Sequence, residues 1–129
     1  MNHQKLPRVG IDLVEVDRMS RLVSTPGLTE QLFAPAEISY CRARRRPHAS
    51  FAACFAAKEA FLKASGLGLH AGTIFTDIEI DFELPNRPQL ILHSALKARI
   101  GVPALCHLSM GESGDLACAV VALEEKRIG

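Results

Sequence analysis

ASFAACFAAKEAFLKAS, residues Ala49 to Ser65, is the stretch on which the fold turns. Alanine, leucine, lysine and glutamate all favour helix, and no glycine or proline interrupts the run between Pro47 and Gly66. A proline ahead and a glycine behind give it a clear start and stop. At about 100° per residue, Phe51, Phe55 and Leu62 form one apolar stripe, while Ala53, Ala57, Ala60 and Ala64 form a second face of small side chains. Two apolar faces predict a helix at the centre of a domain, packed on both sides.

Upstream, Val9 to Val16 (VGIDLVEV) reads as a strand followed by a helical turn from Asp17 to Val23. Pro26 to Arg46 carries short helical patterns broken by Pro26, Gly27 and Pro35. Downstream, alternation at Asp77 to Leu84, a Pro85-Asn86-Arg87-Pro88 turn and a strand at Gln89 to His93 predict a hairpin. Ser94 is placed to cap a short helix to Ile100, ahead of strands at Leu105 to Met110 and Leu116 to Leu123 joined by a turn at Gly111 to Gly114. Helices early and strands late predict an α+β fold with an antiparallel sheet and a central long helix.

The chain has 129 residues, which fits a single domain spanning 1–129 with one substantial core. With 48% hydrophobic and 22% charged residues it has enough apolar side chains to fold, and a net charge of +1 supplies no global field for nucleic acid or anionic lipid. No apolar run is long enough to span a bilayer, and Met1 to Pro7 lacks the apolar segment of a signal peptide. Cys41, Cys54, Cys106 and Cys118 are widely spread and form no C-x-x-C pair, so buried reduced thiols and a cytoplasmic location are expected.

Four groups of residues invite a chemical reading. Asp12 lies within an apolar strand, where a carboxylate is costly unless paired, hydrogen-bonded or bound to metal; the plainer alternative is an Asp capping a strand end. Glu15 and Asp17 are expected to face solvent. Lys58, Glu59 and Lys63 concentrate charge on a largely apolar helix, either as a narrow exposed strip or as the lining of a cleft. The glycines at 66, 68 and 72 follow a helix instead of opening one, so they read as a C-cap and loop. Any phosphate there would depend on Lys58, Lys63 and amides of the loop, such as those of Gly66 and Gly68. Arg42, Arg44, Arg45 and Arg46, with Arg18 and Arg21, lack the interleaved aromatics that stack on bases; a solvated turn or an acidic protein partner suits them better than nucleic acid.

Taken together, GIDLVEVDR at Gly10 to Arg18 and FAAKEAFLKA at Phe55 to Ala64 resemble the two signature blocks of the holo-acyl-carrier-protein synthases, in the same order and at the same separation. The resemblance continues through FTDIEI at Phe75 to Ile80, the turn at Arg87-Pro88, HLS at His107 to Ser109 and ACAVVALE at Ala117 to Glu124, and so covers nearly the whole chain. It implies a 4′-phosphopantetheinyl transferase-like fold, assembled as a homotrimer with coenzyme A between subunits. The implied reaction passes phosphopantetheine from coenzyme A to a serine of acyl carrier protein, with Mg2+ as cofactor. By position it assigns Asp12 and Glu59 to the metal, Lys63 to the active site, and Arg18 and Arg21 to docking of the carrier. The attacking serine must lose a proton, and Glu59, directly or through a metal-bound water, is the base expected to take it. Cys54, Leu67 and Glu112 stand where relatives often carry Arg, Thr and His. The competing readings are the same chemistry on a specialised, polyketide-type carrier, or a non-catalytic module that binds a nucleotide or an acidic protein.

Overall fold

Two antiparallel sheets and a set of short helices flank one long helix in the computed structural model, which describes residues 7–67, 75–93, 96 and 104–125. In chain order the elements are β1 (Arg8–Glu15), α1 (Val16–Val23), α2 (Leu28–Leu32), α3 (Pro35–Arg42) and α4 (Pro47–Ser65). A 3-10 turn (Phe75–Asp77), β2 (Ile78–Asp81), β3 (Gln89–Leu92), β4 (Ala104–Ser113) and β5 (Leu116–Glu125) follow. The larger sheet runs β1-β5-β4 and the smaller pairs β2 with β3, all antiparallel. The α+β architecture expected from the sequence is the one observed.

Helix α4 lies against the larger sheet, and its two apolar faces explain how. The alanine face meets β1 so closely that a Cβ on Gly10 would stand 2.0 Å from the Ala60 carbonyl oxygen and 2.8 Å from the Ala64 amide nitrogen. Only a glycine in the strand permits that approach. On the other side Phe51 packs on Phe33 with ring centroids 4.9 Å apart, and Phe55 stacks on Phe75 at 5.4 Å. Phe61 and Leu62 are almost wholly buried, each contributing about 1.5–3 kcal/mol of transfer free energy.

The differences from expectation are local and have local causes. The long helix begins two residues earlier, at Pro47, because proline is well suited to a first helical position whose N–H needs no partner. The strand expected over Asp77 to Leu84 stops at Asp81, where the Asp81 carboxylate accepts a hydrogen bond from the Glu83 amide at 2.9 Å and turns the chain. Asn86 then takes a left-handed φ of 59° after Pro85, and the Arg87 amide bonds the Leu84 carbonyl at 3.2 Å. The turn placed at Gly111 to Gly114 is tighter: β4 runs on to Ser113, which pairs with Leu116, leaving Gly114 and Asp115 as a two-residue connection with Gly114 at φ 58°. The helix expected from Ser94 to Ile100 falls almost entirely outside the described residues. Among the described residues no helix is long and apolar enough to cross a membrane.

Candidate active site

Strand alternation decides what Asp12 does. In β1, Gly10 and Val14 are buried towards α4 while Val9, Ile11 and Leu13 point out, so Asp12, on the same phase as Gly10 and Val14, is aimed at the helix. It pairs with Ala119 of β5 in mid-strand, which removes the reading as a strand-end cap. Across from it, α4 presents Glu59 and, one turn on, Lys63. The Lys63 ammonium donates to Asp12 Oδ1 at 2.7 Å and to the Ile11 carbonyl at 3.1 Å. The Asp12 side chain is 11% exposed and that of Lys63 is 56% exposed, so the pair is wet on one side and contributes about 0–1 kcal/mol to stability.

Glu59 is the electrostatically uncomfortable member. Burial pushes its carboxyl above the ordinary carboxylate range, and the neighbouring Asp12 charge pushes it further; Lys63 and Arg18 pull the other way without cancelling the rise. Lys63 is shifted upward, chiefly by its hydrogen bond to Asp12. Two carboxylates set side by side in a half-buried position, with cations only on the solvent side, form a place that a divalent cation would relieve. Among the described residues no cluster of three or more His, Cys, Asp or Glu exists that could enclose a metal. Two hard oxygen donors, with the other positions left to water and phosphate, suit Mg2+ better than a metal held wholly by protein.

Lys58 does not join this group, which corrects the expectation that it binds phosphate. One residue before Glu59, and so about 100° around the helix, it points into the core and is fully buried. Its ammonium donates to Glu37 Oε1 at 2.7 Å, to the Ile78 carbonyl at 2.7 Å and to the Phe75 carbonyl at 3.0 Å. All three of its N–H donors are thereby used. Glu37 accepts in turn from the Ala34 amide and the Ile80 amide, each at 2.8 Å. Burial lowers the Lys58 pKa, and the Glu37 carboxylate opposes that fall.

The loop amide expected at Gly66 is likewise committed. Gly66 caps α4 in a left-handed conformation, φ 76°, with its N–H directed at the Lys63 carbonyl at 3.3 Å. Gly68 lies outside the described residues. Glu15 and Asp17 are exposed, as their positions suggest. Arg18 and Arg21 are exposed on α1, the helix that leaves β1 directly, and Arg18 stands near enough to lower the Glu59 pKa.

A groove of about 1010 Å³ holds residues whose role the sequence does not disclose. Arg44, Arg45 and Arg46 line it, opposite Pro85, Asn86 and the Leu108 to Glu112 stretch of β4. Tyr40 and Phe82 stack at 3.7 Å with rings 2° from parallel, and the Arg44 guanidinium sits 5.1 Å above Tyr40. Arg46 donates to the Gly114 carbonyl at 2.8 Å and stands 3.6 Å from Glu112. The arginines are therefore a wall of a concave site, not merely a solvated turn. A run of arginines before Pro47 was the only local signal, because the other walls come from segments some 40 and 65 residues further along the chain.

Comparison with known proteins agrees with this architecture. Residues 8–121 match the family model described as the 4′-phosphopantetheinyl transferase superfamily. A holo-[acyl-carrier-protein] synthase of Moorella thermoacetica is 43% identical over 119 residues, covering 89% of this chain and 91% of that protein. One from Geobacter sulfurreducens is 41% identical over 119 residues, with 89% and 94% covered. Among solved structures, an ACPS–CoA complex from Chronobacterium ammoniagenes superposes with a TM-score of 0.82 at 30% identity, covering 95% of this chain and 100% of that one. A Helicobacter pylori holo-[acyl-carrier-protein] synthase in complex with coenzyme A superposes with a TM-score of 0.79 at 28% identity, covering 90% and 99%. The mid-strand aspartate, the helix that faces it and the agreement along nearly the full chain lead to one conclusion: this protein belongs to the 4′-phosphopantetheinyl transferase superfamily.

Proposed function

We propose that the chain is a holo-[acyl-carrier-protein] synthase, moving 4′-phosphopantetheine from coenzyme A to a serine hydroxyl of apo-acyl carrier protein and releasing adenosine 3′,5′-bisphosphate. The observation that carries the reading is the meeting of Asp12 with Glu59 and Lys63, residues from distant parts of the chain, in a protein of this family.

The reaction breaks the P–O bond between the β-phosphorus of coenzyme A and the leaving nucleotide, and forms a new bond to the serine oxygen. Asp12 and Glu59 are the residues that would hold Mg2+, which when bound neutralises charge on a pyrophosphate and makes phosphorus easier to attack. Lys63 has a half-exposed ammonium, free to add a hydrogen bond to a phosphate oxygen while it remains anchored to Asp12. Glu59, with its raised pKa, is suited to accept the serine proton near neutral pH. The arginine groove has the size and charge for a phosphorylated nucleotide, with the Tyr40–Phe82 pair as an aromatic wall. Arg18 and Arg21, both exposed on α1 with Arg18 near Glu59, suit the docking of an acidic carrier.

A trimer is the assembly that the family resemblance implies, and the outer face of the larger sheet supports contact with further copies. Val9, Ile11 and Leu13 are 60%, 59% and 64% exposed there, beside Leu105, Leu116 and Val120. Light scattering should give three times the 14.0 kDa chain mass. The four free cysteines support a cytoplasmic location.

Intact-mass analysis of apo-acyl carrier protein, incubated with the chain, coenzyme A and magnesium, tests the activity directly. The carrier should gain one phosphopantetheine only when magnesium is present. Asp12→Ala and Glu59→Ala should each lower the rate about 100-fold or more. Equal, background-level labelling by wild type and both variants would favour a binding module with no catalysis, and a polyketide-type carrier run in parallel separates the two transferase readings.

A further inference from the structure

Two thiols take no part in the chemistry described above, yet they are placed for chemistry of their own. Cys41, in the last turn of α3, and Cys54, in α4, face each other with their sulfurs 3.6 Å apart. Neither is exposed to solvent. Ser50 donates from its hydroxyl to Cys41 Sγ at 3.4 Å, and Ser50 and Ala53 line the arginine groove, so the pair sits one side chain beneath the groove. Cys54 stands where the family resemblance implies an arginine in many relatives.

A disulfide has its sulfurs about 2.05 Å apart with a torsion near 90°, and sulfurs already in contact on neighbouring helices are close to that arrangement. The remaining cysteines are less suited: Cys106 and Cys118 are each only partly buried, with no sulfur partner among the described residues, and burial pushes the Cys106 thiol up to about 11. Within the pair the roles are unequal. The Cys54 hydrogen bond holds the Cys41 thiol below its ordinary value, while Cys54 itself is held well above it. Cys41 is also the sulfur that accepts the Ser50 hydroxyl, a donor that favours its thiolate and that lines the groove, so an oxidant entering from the groove meets Cys41 first.

We propose that Cys41 and Cys54 form a peroxide-reactive dithiol that closes into a reversible disulfide beneath the groove, stapling α3 to α4 across the arginine segment Arg42 to Arg46. The Cys41 thiolate attacks one oxygen of a hydroperoxide. The O–O bond breaks, the departing oxygen takes a proton to leave as water or alcohol, and Cys41 becomes a sulfenic acid. The Cys54 sulfur then attacks Cys41 sulfur: an S–S bond forms, the S–O bond breaks, and the hydroxyl leaves as water with the proton of Cys54. The two sulfurs together lose two electrons and the peroxide gains them. Complete burial selects for a small oxidant, since glutathione disulfide is too large to reach either sulfur without opening the helix seam. A thiol reductant restores the dithiol.

Brief treatment of the full chain with hydrogen peroxide, followed by unfolding in alkylating reagent and peptide mass mapping, tests this. The expected product joins the peptides holding Cys41 and Cys54 with a loss of ~2 Da, while Cys106 and Cys118 stay alkylated. Reductant should reverse it, glutathione disulfide should not produce it, and the oxidised chain should unfold at a higher temperature than the reduced one. Cys54→Ala, with folding verified by circular dichroism, should instead accumulate oxygen on Cys41; if that variant does not fold, the mapping of wild type decides alone. Recovery of both Cys41 and Cys54 as alkylated thiols while another cysteine is oxidised overturns the proposal. Oxygen on either of them in wild type without a cross-link overturns it as well, and a glutathione adduct on Cys41 overturns the preference for a small oxidant.

Discussion

Lys58 and Glu59 are neighbours on one helix, both charged and both drawn out of bulk water, and they do opposite things. Lys58 meets Glu37 and two backbone carbonyls in a pocket where every donor has an acceptor, and Glu37 closes the set by accepting from two backbone amides. Glu59 meets another carboxylate, Asp12, and is answered only in part by Lys63 and Arg18. The first cluster is satisfied and ties α3, α4, the 3-10 turn and β2 together. The second is left unbalanced, and an unbalanced pair of acids is what a cation or a proton can occupy. The helical step of about 100° separates the two roles.

The largest effect expected from breaking this contrast lies in the satisfied cluster. Lys58→Met leaves the Glu37 carboxylate buried without its cation, and should destabilise the fold by about 3–5 kcal/mol in urea denaturation. Replacing both partners, Glu37→Leu with Lys58→Met, often rescues a buried ion pair, but here it should not. The double change orphans the amides of Ala34 and Ile80 and the carbonyls of Phe75 and Ile78, each at about 1–3 kcal/mol if left unpaired. Wild-type stability in the double variant would mean that the cluster is only a charge pair.

At the unbalanced cluster the same kind of substitution should have the opposite sign. Glu59→Gln keeps the shape and removes a charge that burial and Asp12 both oppose, so the metal-free variant should be at least as stable as wild type at neutral pH. Transfer to apo-acyl carrier protein should nevertheless fall about 100-fold or more. A variant that is both less stable and fully active would dissolve the comparison.

The pH dependence sharpens it. The folded-state pKa of Glu59 is raised above the ordinary value of 4.5, so below that value both folded and unfolded chains carry the proton and the site costs nothing. As pH climbs through the raised value the folded chain must give up a proton that it holds more tightly than the unfolded chain does, and stability declines. The thermal advantage of Glu59→Gln over wild type, without metal, should therefore be absent in acid and grow towards neutrality. Magnesium at neutral pH should raise the Tm of wild type and do little for the variant. A difference in Tm independent of pH would show that Glu59 titrates normally.

How much of this the sequence discloses follows the range of the interactions involved. Periodicity reports local geometry, so β1, α4 and the terminal strand pair are legible. The phase that turns Asp12 inward is not, because the alternating apolar residues Val9, Ile11 and Leu13 are the ones that face out. The fate of Lys58 is not legible, because its partners lie 21 residues back and 17 to 20 residues ahead. From spacing alone Lys58, Glu59 and Lys63 look like one charged strip; only the position of Glu37 on α3 assigns Lys58 to the core. The end of β2 is hidden from periodicity for a smaller reason, a single hydrogen bond from the Glu83 amide to the Asp81 side chain. The groove is the least legible part, since its arginines, aromatics and β4 wall converge only in the folded chain.

The smallest effects should come from the two arginines of α1, and they should differ from each other. Both are exposed, so either change to alanine should raise the KM for an acidic carrier several-fold and flatten its dependence on salt, while stability moves little. Arg18 has a second consequence that Arg21 lacks, because its charge is among those that hold the Glu59 pKa down. Removing Arg18 lets that pKa rise further, so the acid limb of the rate profile should move to higher pH in Arg18→Ala and stay in place in Arg21→Ala. Raising ionic strength should shrink the difference in KM more than the displacement of the acid limb, since Glu59 is half-buried and screened less than a carrier approaching through solvent. Identical profiles for the two variants would confine Arg18 to docking and leave Lys63 as the one cation that acts on the pair of acids.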